Sequence, residues 1–182
     1  MKVTTTDIPE VLVLEPAVHR DERGFFLESW REDWLASRGV AARFVQDNHS
    51  YSTRGTLRGL HYQLAFPQGK LVQVISGEVY DVAVDIRRSS PTFGRWVAET
   101  LSSNHHRQLW IPPGFAHGFY VLSDSADVMY KCTEYYAPAH DRSLQWDDPD
   151  IDIPWPLLSG RCPLLSQKDA TAPSLRDATT YP

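Results

Sequence analysis

The chain has 182 residues and a formal net charge of −5, with 42% hydrophobic and 23% charged residues. This balance is typical of a folded globular protein and excludes a disordered, fibrous or collagen-like chain. No stretch approaches the roughly 18 consecutive apolar residues of a membrane-spanning helix, and residues 1–7 lack the apolar segment of a signal peptide. The excess of acidic side chains argues against nucleic acid or an anionic membrane as the main partner.

Length and cysteine usage set two further expectations. A chain of this length predicts one domain over residues 1–182, with a core over about residues 11–169 and a polar tail over about residues 170–182. The cysteines, Cys132 and Cys162, are too few for a disulfide framework and are not at metal-ligand spacing. We therefore predict a reducing, cytoplasmic location.

Short strands separated by turn residues dominate the pattern. In chain order, strands are predicted at residues 25–29, 44–48, 57–63, 70–75, 79–86, 96–101, 108–111, 118–122, 128–134 and 143–146. One early helix is predicted after Ser29, because Ser29 and Glu32 have capping-box spacing and Gly39 ends the run. A second short helix is predicted at the start of the tail. Many short strands with few helices predict an all-β fold, which could be a sandwich, a jelly roll or a barrel.

The strongest predicted strand, residues 79–86, places apolar side chains on one face and Asp81 and Asp85 on the other. Residues 70–75 come shortly before it and are joined to it through Gly77. Two strands with so short a link between them predict a β-hairpin.

Polar residues on two of these strands could carry chemistry. His61 and Gln63 share one face of their strand, and Arg58 lies on the other face unless a bulge at Gly59 turns it. A single histidine on a strand can be a base or a structural group with its hydrogen bonds satisfied. Lys70 begins an apolar strand, so it either extends to solvent or faces a cavity, where its charge would suit a developing oxyanion.

Two further clusters lie where strands begin. Residues 112–119 predict a tight turn that leads into a strand with His117 at its start. Arg23, Phe26 and Glu28 lie close together near another strand start. An arginine can bind phosphate oxygens bidentately and an aromatic ring can stack on a base, but each cluster could equally be a solvated strand end.

The seven histidines raise the question of a metal site. Two metal ligands on one strand need His-x-His spacing, because only alternate residues share a face. The sequence has no such spacing: His105 and His106 are adjacent, and His61 and His117 have no third ligand at a suitable distance along the chain. No bound metal is therefore predicted.

Several stretches, taken together and in order, resemble the dTDP-4-dehydrorhamnose 3,5-epimerase family over roughly residues 11–169. They are residues 21–26 (DERGFF), 44–50 (FVQDNHS), 57–63 (LRGLHYQ), 68–72 (QGKLV), 77–85 (GEVYDVAVD), 113–118 (PGFAHG), 130–131 (YK) and 165–169 (LSQKD). Any one match is weak, but so many in the same order form a specific signal.

The resemblance implies a cupin-type double-stranded β-helix, that is, a jelly roll with a few short helices. It also implies a homodimer with shared active sites that works without a metal or an organic cofactor. The substrate of the family is dTDP-4-dehydro-6-deoxy-D-glucose, which is inverted at C3 and C5 to give dTDP-4-dehydro-L-rhamnose.

Residue roles follow from the resemblance position by position. His61 resembles the base, Asp169 its partner, and Tyr130 the acid on the opposite face of the sugar. Lys70 resembles the cation at the C4 oxygen, where the charge of the enolate develops. The residues that resemble substrate contacts are Arg23, Phe26, Glu28, Gln46, Asp47, Asn48, Arg58, His117, Asp141 and Lys168, with Arg23 and Glu28 reaching in from the partner subunit.

Two positions depart from the family pattern, and three alternatives stay open. Asp141 and Gln167 stand where the family more often has Glu. A mono-epimerase of the same family needs the same residues. A metal-dependent cupin enzyme is disfavoured by the missing His-x-His, and a sugar-nucleotide binding module is disfavoured because binding alone needs no base and acid such as His61 and Tyr130.

Overall fold

Antiparallel strands dominate the computed structural model, which describes all of residues 1–182. One sheet has six strands, in the order β1 (Lys2–Thr5), β2 (Leu12–Glu15), β10 (Gln108–Ile111), β7 (Lys70–Ser76), β12 (Ser125–Cys132) and β5 (Gln46–Thr53). A second sheet has five, in the order β13 (Asp141–Ser143), β6 (Leu57–Gln63), β11 (Phe115–Val121), β8 (Glu78–Asp85) and β9 (Trp96–Ser102). The remaining strands, β3 (Val18–Asp21) and β4 (Gly24–Leu27), pair only with each other and form a two-stranded ribbon.

Helices are few and short. They are α1 (Asp33–Ala36), α2 (Gln167–Ala170) and a 3-10 turn at Pro138–His140. None of them is long and apolar enough to cross a bilayer. The two sheets face each other as a jelly roll, which confirms the all-β fold that the strand pattern predicts and the architecture that the resemblance implies.

Three apolar layers hold the sheets in place. The largest lies between them and joins side chains such as Val72 and Val128 of the six-stranded sheet to Ala83 and Phe119 of the five-stranded sheet. A second layer covers the outer face of the five-stranded sheet with residues from the C-terminal part of the chain, such as Trp155. A third packs α1 and its neighbours on the outer face of the six-stranded sheet. The interior is therefore apolar, except where polar side chains enter it at one end.

The link at Gly77 corrects one prediction. β7 pairs with β10 and β12, whereas β8 pairs with β9 and β11, so β7 and β8 belong to different sheets and do not form a hairpin. Gly77 has a φ of +83°, and a Cβ there would lie 2.1 Å from the carbonyl oxygen of Ser125. The same short link suits a hairpin or a passage between facing sheets, and burial of both strands selects the passage.

The early helix also differs from its prediction. α1 begins at Asp33, and its N-cap is Glu32, which makes no side-chain capping bond. Ser29 lies ahead of the helix, and its carbonyl oxygen accepts a 2.7 Å hydrogen bond from the Gln108 amide. The capping-box prediction is therefore wrong, because Ser29 lies outside the helix and is engaged in a tertiary hydrogen bond. The next residue, Trp30, packs against the apolar layer on the outer face of the six-stranded sheet.

Strand bounds match the predictions in part. β6 and β10 occupy the predicted residues, and the remaining predicted strands are shifted or extended by a few residues, most of all β5, which begins at Gln46 and runs on to Thr53. Phe44 was expected in that strand but instead packs edge-on against Trp30, with 4.7 Å between ring centroids. β1, β2 and β3 are absent from the predictions because their short segments lack clear alternation. The second short helix is confirmed as α2, which begins slightly earlier than predicted.

A bulge in β6 decides which of its side chains face the interior. His61 stands opposite His117, but Arg58 stands opposite Phe119, so Gly59 and the residue after it face a single residue of β11. Strand residues three apart then point to the same side. Arg58 and His61 accordingly both enter the space between the sheets. The sequence predicts this placement of Arg58 only if a bulge lies at Gly59.

Gly59 should be intolerant of any side chain. Its φ is +115°, and a Cβ there would lie 2.6 Å from both the Cα of Gly118 and the carbonyl oxygen of His117. Gly24 is a matched control, since its φ is +128° and a Cβ there meets nothing within 4 Å. We expect Gly59→Ala to lower the free energy of unfolding by about 1–3 kcal/mol more than Gly24→Ala, the usual cost of overpacking. Urea denaturation of both variants measures this difference, and equal losses would contradict the close approach.

Candidate active site

The polar end of the space between the sheets forms a cavity of about 440 Å³. Both sheets contribute to its wall, and most of the predicted site residues line it. These are Gln46, Asn48, Arg58, His61, Lys70, His117, Tyr130, Asp141 and Lys168.

A histidine–carboxylate pair forms one wall of the cavity. His61 projects from β6, and its Nε2 lies 2.5 Å from Oδ1 of Asp169 on α2. The His61 side chain is 34% exposed, whereas that of Asp169 is 3% exposed, so the imidazole meets the cavity and the carboxylate stays behind it. Burial alone would raise the pKa of Asp169, but hydrogen bonds from His61 and Ser166 and the charge of His61 hold it below its usual range. An ionised Asp169 fixes the imidazole and stabilises its protonated form.

Tyr130 faces this pair from the opposite sheet. It projects from β12 and lies near His117, with 6.3 Å between the two ring centroids. Burial is the main cause that raises the pKa of the Tyr130 hydroxyl above its ordinary value. The hydroxyl therefore keeps its proton at neutral pH and can donate it. A candidate base, His61, and a candidate acid, Tyr130, thus stand on opposite walls of one cavity.

Lys70 places a buried positive charge beside Tyr130. It begins β7, is only 9% exposed, and its ammonium lies 5.8 Å from the centre of the Tyr130 ring. Burial lowers the pKa of Lys70, while the nearby Cys132 and Asp81 act in the opposite direction. Of the two placements that the sequence leaves open for Lys70, the structure selects the cavity.

A second histidine–carboxylate pair has its histidine, His117, in the cavity wall and its carboxylate, Asp81, buried behind it. Nε2 of His117 lies 2.9 and 3.0 Å from the two carboxylate oxygens of Asp81, and both residues are buried. Burial lowers the pKa of His117, although Asp81 opposes this effect. Asp81 is absent from the predicted site. The alternation of β8 places Asp81 on the face opposite the apolar side chains, where nothing in the pattern distinguishes a site residue from a surface aspartate.

Polar side chains of β5 and β6 complete the wall near the cavity mouth. The Gln46 amide donates a 2.9 Å hydrogen bond to Oδ1 of Asn48. Nε of Arg58 donates to the Ser52 hydroxyl at 2.8 Å. These bonds fix the orientation of side chains that can bind phosphate, carbonyl or hydroxyl groups of a ligand.

Asp141 organises another part of the wall. Its Oδ2 accepts hydrogen bonds from the Tyr136 hydroxyl at 2.9 Å and from Nζ of Lys168 at 2.6 Å. Tyr136 is not among the predicted site residues, and neither are Gln63 and Gln68, which also line the cavity. Gln63 could have been found, because it shares the face of His61 on a predicted strand.

Four predicted substrate contacts lie outside the cavity of their own chain. Arg23, Phe26 and Glu28 belong to the exposed β3–β4 ribbon or follow directly after it, and the Arg23 side chain is 90% exposed and paired only with Asp21. Asp47 points away from the cavity because side chains alternate along β5, and its carboxylate binds Nζ of Lys131 at 3.0 Å.

Metal-ligand side chains do not cluster in the structure. His, Cys, Asp and Glu residues form no group of three or more that could hold a metal ion. The histidines that line the cavity are instead each engaged by one carboxylate: His49 by Asp127, His61 by Asp169 and His117 by Asp81.

Comparison with known proteins gives consistent matches. The family model described as dTDP-4-dehydrorhamnose 3,5-epimerase matches residues 5–177. The dTDP-4-dehydrorhamnose 3,5-epimerase of Pseudomonas aeruginosa is 53% identical over 100% of both chains. The structure of the dTDP-6-deoxy-D-glucose-3,5-epimerase of Legionella pneumophila, in complex with dTDP-4-keto-L-rhamnose, matches with a TM-score of 0.94 at 52% identity. This match covers 98% of this chain and 94% of the Legionella pneumophila chain. The structure of a 3'-monoepimerase from Streptomyces bikiniensis, in complex with dTDP-quinovose, matches with a TM-score of 0.87 at 35% identity. This match covers 94% of this chain and 87% of the Streptomyces bikiniensis chain.

Burial of Lys70 leads to a prediction about its titration. We expect its ammonium to lose its proton below pH 10.5, the ordinary value, because the cavity disfavours the charged form. Asp81→Asn should lower the pKa of Lys70 further, since it removes a neighbouring negative charge. The Lys70 ¹³Cε shift followed against pH, with Lys70→Arg to assign the signal, measures both effects. Titration of Lys70 at or above pH 10.5 would contradict this account.

Proposed function

The chain belongs to the dTDP-4-dehydrorhamnose 3,5-epimerase family, and on that basis we propose how its residues carry out the reaction. It is an isomerase that inverts C3 and C5 of dTDP-4-dehydro-6-deoxy-D-glucose and so yields dTDP-4-dehydro-L-rhamnose, an intermediate of L-rhamnose biosynthesis. The observation that carries the proposal is the placement of His61 and Tyr130 on facing sheets, with Lys70 buried beside Tyr130.

The chemistry demands such an arrangement. The hydrogens at C3 and C5 flank the C4 ketone, so removal of either proton leaves an enolate with negative charge on O4. Inversion requires the proton to leave from one face of the sugar and another to arrive from the opposite face. A base, an acid across the ring and a cation at O4 are therefore the minimum set of groups.

His61 is the proposed base. It takes the proton from C3 or C5 while the electrons of the C–H bond move into the enolate. Its reference pKa of about 6.5 lies near working pH, which suits a general base. Asp169 accepts the hydrogen bond from Nε2, so Nδ1 is the nitrogen left to take the proton, and the carboxylate stabilises the resulting imidazolium.

Tyr130 is the proposed acid. Its hydroxyl gives a proton to the carbon from the opposite face, the enolate collapses to the ketone, and the new C–H bond has inverted configuration. The raised pKa of Tyr130 supports this role, because the hydroxyl stays protonated until an enolate is present to receive the proton. Exchange with solvent returns Tyr130 and His61 to their starting states.

Lys70 is the proposed partner of the enolate oxygen. A buried ammonium interacts strongly with negative charge that develops at O4, and one such preorganised donor typically contributes roughly 3–4 kcal/mol.

Base, acid and cation all come from the chain itself, which supports a reaction without a metal or an organic cofactor. Free thiols at Cys132 and Cys162 agree with the reducing cytoplasm that we propose as its location.

The remaining polar residues are proposed to bind the nucleotide and the sugar. Arg58, Lys168 and His117 line the cavity and can face the diphosphate and sugar oxygens. Binding energy gained at the nucleotide can be used to hold the sugar between base and acid. The net negative charge of the chain does not oppose this, because a few local cations decide the potential in the cavity.

We propose a homodimer in which the β3–β4 ribbon of each subunit completes the partner's site. Two observations support it. An isolated two-stranded ribbon is only marginally stable in water, and this one exposes 56% of Phe25 and 68% of Phe26. Pairing of one surface across a two-fold axis would cover these rings and bring Arg23 and Glu28 to the other cavity.

A mono-epimerase is the second candidate. The Streptomyces bikiniensis 3'-monoepimerase shares the fold, and the proposed base, acid and cation do not separate the two activities. Its identity of 35%, against 53% for the Pseudomonas aeruginosa 3,5-epimerase, favours inversion at both carbons.

The reaction in heavy water tests this function directly. We expect wild-type protein to introduce deuterium at both C3 and C5 of the 4-keto sugar nucleotide, as followed by proton NMR. His61→Asn should lower exchange by at least the roughly 10²–10⁴-fold typical of general base catalysis. Tyr130→Phe should lower inversion more than exchange, because His61 can still remove and return protons on its own face.

Each alternative predicts a different spectrum. Deuterium at one carbon only would identify a mono-epimerase, and exchange at neither carbon would identify a binding module. Equal loss of exchange and inversion in His61→Asn and Tyr130→Phe would contradict the assigned roles of base and acid.

Subunit mixing tests the shared site. Arg23→Ala and His61→Asn homodimers should each be inactive or strongly impaired, for different reasons. After exchange of subunits, a heterodimer contains one cavity with neither substitution, so mixing should restore part of the activity. Exchange is verified by native mass spectrometry of differently tagged subunits, and no recovery in a verified heterodimer would refute the shared site.

A further inference from the structure

The buried carboxylate of Asp169 has a different partner on each oxygen. Oδ1 faces His61, as described, whereas Oδ2 accepts a 2.8 Å hydrogen bond from the Ser166 hydroxyl. The same hydroxyl oxygen accepts a 3.1 Å hydrogen bond from the backbone N–H of Asp169. A hydroxyl has only one proton to donate. The Ser166 hydroxyl donates it to the carboxylate and accepts from the N–H, so these two hydrogen bonds together fix the orientation of the hydroxyl.

Ser166 also fixes the segment that carries Asp169. It is the N-cap of α2, with φ −70° and ψ 160°. A helix of one turn has little stability of its own, so its position depends on this cap and on neighbouring contacts. Two residues earlier, the carbonyl oxygen of Leu164 accepts a 3.0 Å hydrogen bond from the N–H of Leu57, at the start of β6. The N–H of Leu164 donates a 2.8 Å hydrogen bond to the carbonyl oxygen of Gly55, just before that strand. The segment is thus held against the strand that bears His61.

We propose that Ser166 is a positioning residue for epimerisation, which acts on substrate through Asp169 and His61. Its hydroxyl holds the carboxylate plane toward the imidazole and favours the ionised carboxylate. The proton of Ser166 stays on its oxygen throughout. This inference rests on the proposed roles of His61 and Asp169.

The molecule supplies a matched control for this role. Ser174 and Asp177 repeat the same arrangement in the C-terminal segment, away from the cavity: the Ser174 hydroxyl donates to Oδ2 of Asp177 at 2.7 Å and accepts from its N–H at 3.3 Å. Both aspartates follow their serine by three residues. Replacement of Ser174 therefore measures what the loss of such a pair costs when no catalytic group is attached to it.

Three substitutions separate positioning from capping. Ser166→Gly removes the hydroxyl, yet glycine is an acceptable N-cap residue. Ser166→Thr keeps the hydroxyl. Ser166→Cys keeps a side chain of similar shape but offers only a weak S–H donor. Ser166 is exposed, so none of these changes removes core packing.

Steady-state kinetics and deuterium exchange on the purified protein provide the test. We expect Ser166→Gly to lower kcat by about 10- to 100-fold, the range for loss of a hydrogen bond to a buried charged group, with KM changed by less than about twofold. Ser166→Thr should restore most of kcat, and Ser174→Gly should match wild type. If Ser166→Gly does not fold, Ser166→Cys carries the test with the same expected loss of kcat.

Two outcomes overturn the inference. One is a folded Ser166→Gly or Ser166→Cys whose kcat stays near that of wild type, and the other is a loss that falls on KM or that Ser174→Gly shares. Absence of exchange in the wild-type protein would instead refute the proposed function, so the two failures are distinguishable.

Discussion

The arrangement of the cavity depends on one interruption of strand periodicity, the bulge at Gly59 in β6. In a regular strand, Arg58 and His61 would point to opposite faces. The extra residue opposite Gly118 turns both toward the interior while the apolar residues of β6 still face the outer layer. A glycine is required because the backbones of β6 and β11 come too close to admit a Cβ. The placement of the proposed base therefore follows from backbone geometry before any side-chain contact is considered.

In the proposed mechanism, the jelly roll divides the proton transfers between its two sheets. The five-stranded sheet carries His61 and His117, whereas the six-stranded sheet carries Tyr130 and Lys70. Apolar packing between the sheets holds the two walls of the cavity in place on either side of it. Buried polar groups are costly unless they are paired, and carboxylates engage both histidines. The cation Lys70 is the exception, and in the proposed mechanism the negative charge that it lacks develops on O4 during the reaction.

The sequence predicts the fold class well and the contacts between elements less well. Alternation of apolar side chains predicts β6 over the residues that it occupies, but strand pairing depends on partners far along the chain, so β7 and β8 are wrongly joined in a hairpin. Local spacing at Ser29 fails for a similar reason, because a tertiary bond overrides it. The proposed catalytic residues follow from family resemblance. Asp81 and Tyr136 escape prediction because only the closed jelly roll brings them to their partners, His117 and Asp141.

The His61–Asp169 pair joins residues that are 108 positions apart in the chain. Contacts between distant parts of a chain form late, because loop-closure entropy must be overcome before they contribute. During synthesis, the strand with the base and most of both sheets can emerge and pair before the carboxylate exists. If Asp169 supports His61 as proposed, a growing chain that has not yet reached residue 169 contains the base without its carboxylate, and catalytic competence is then among the last properties that a newly made chain acquires.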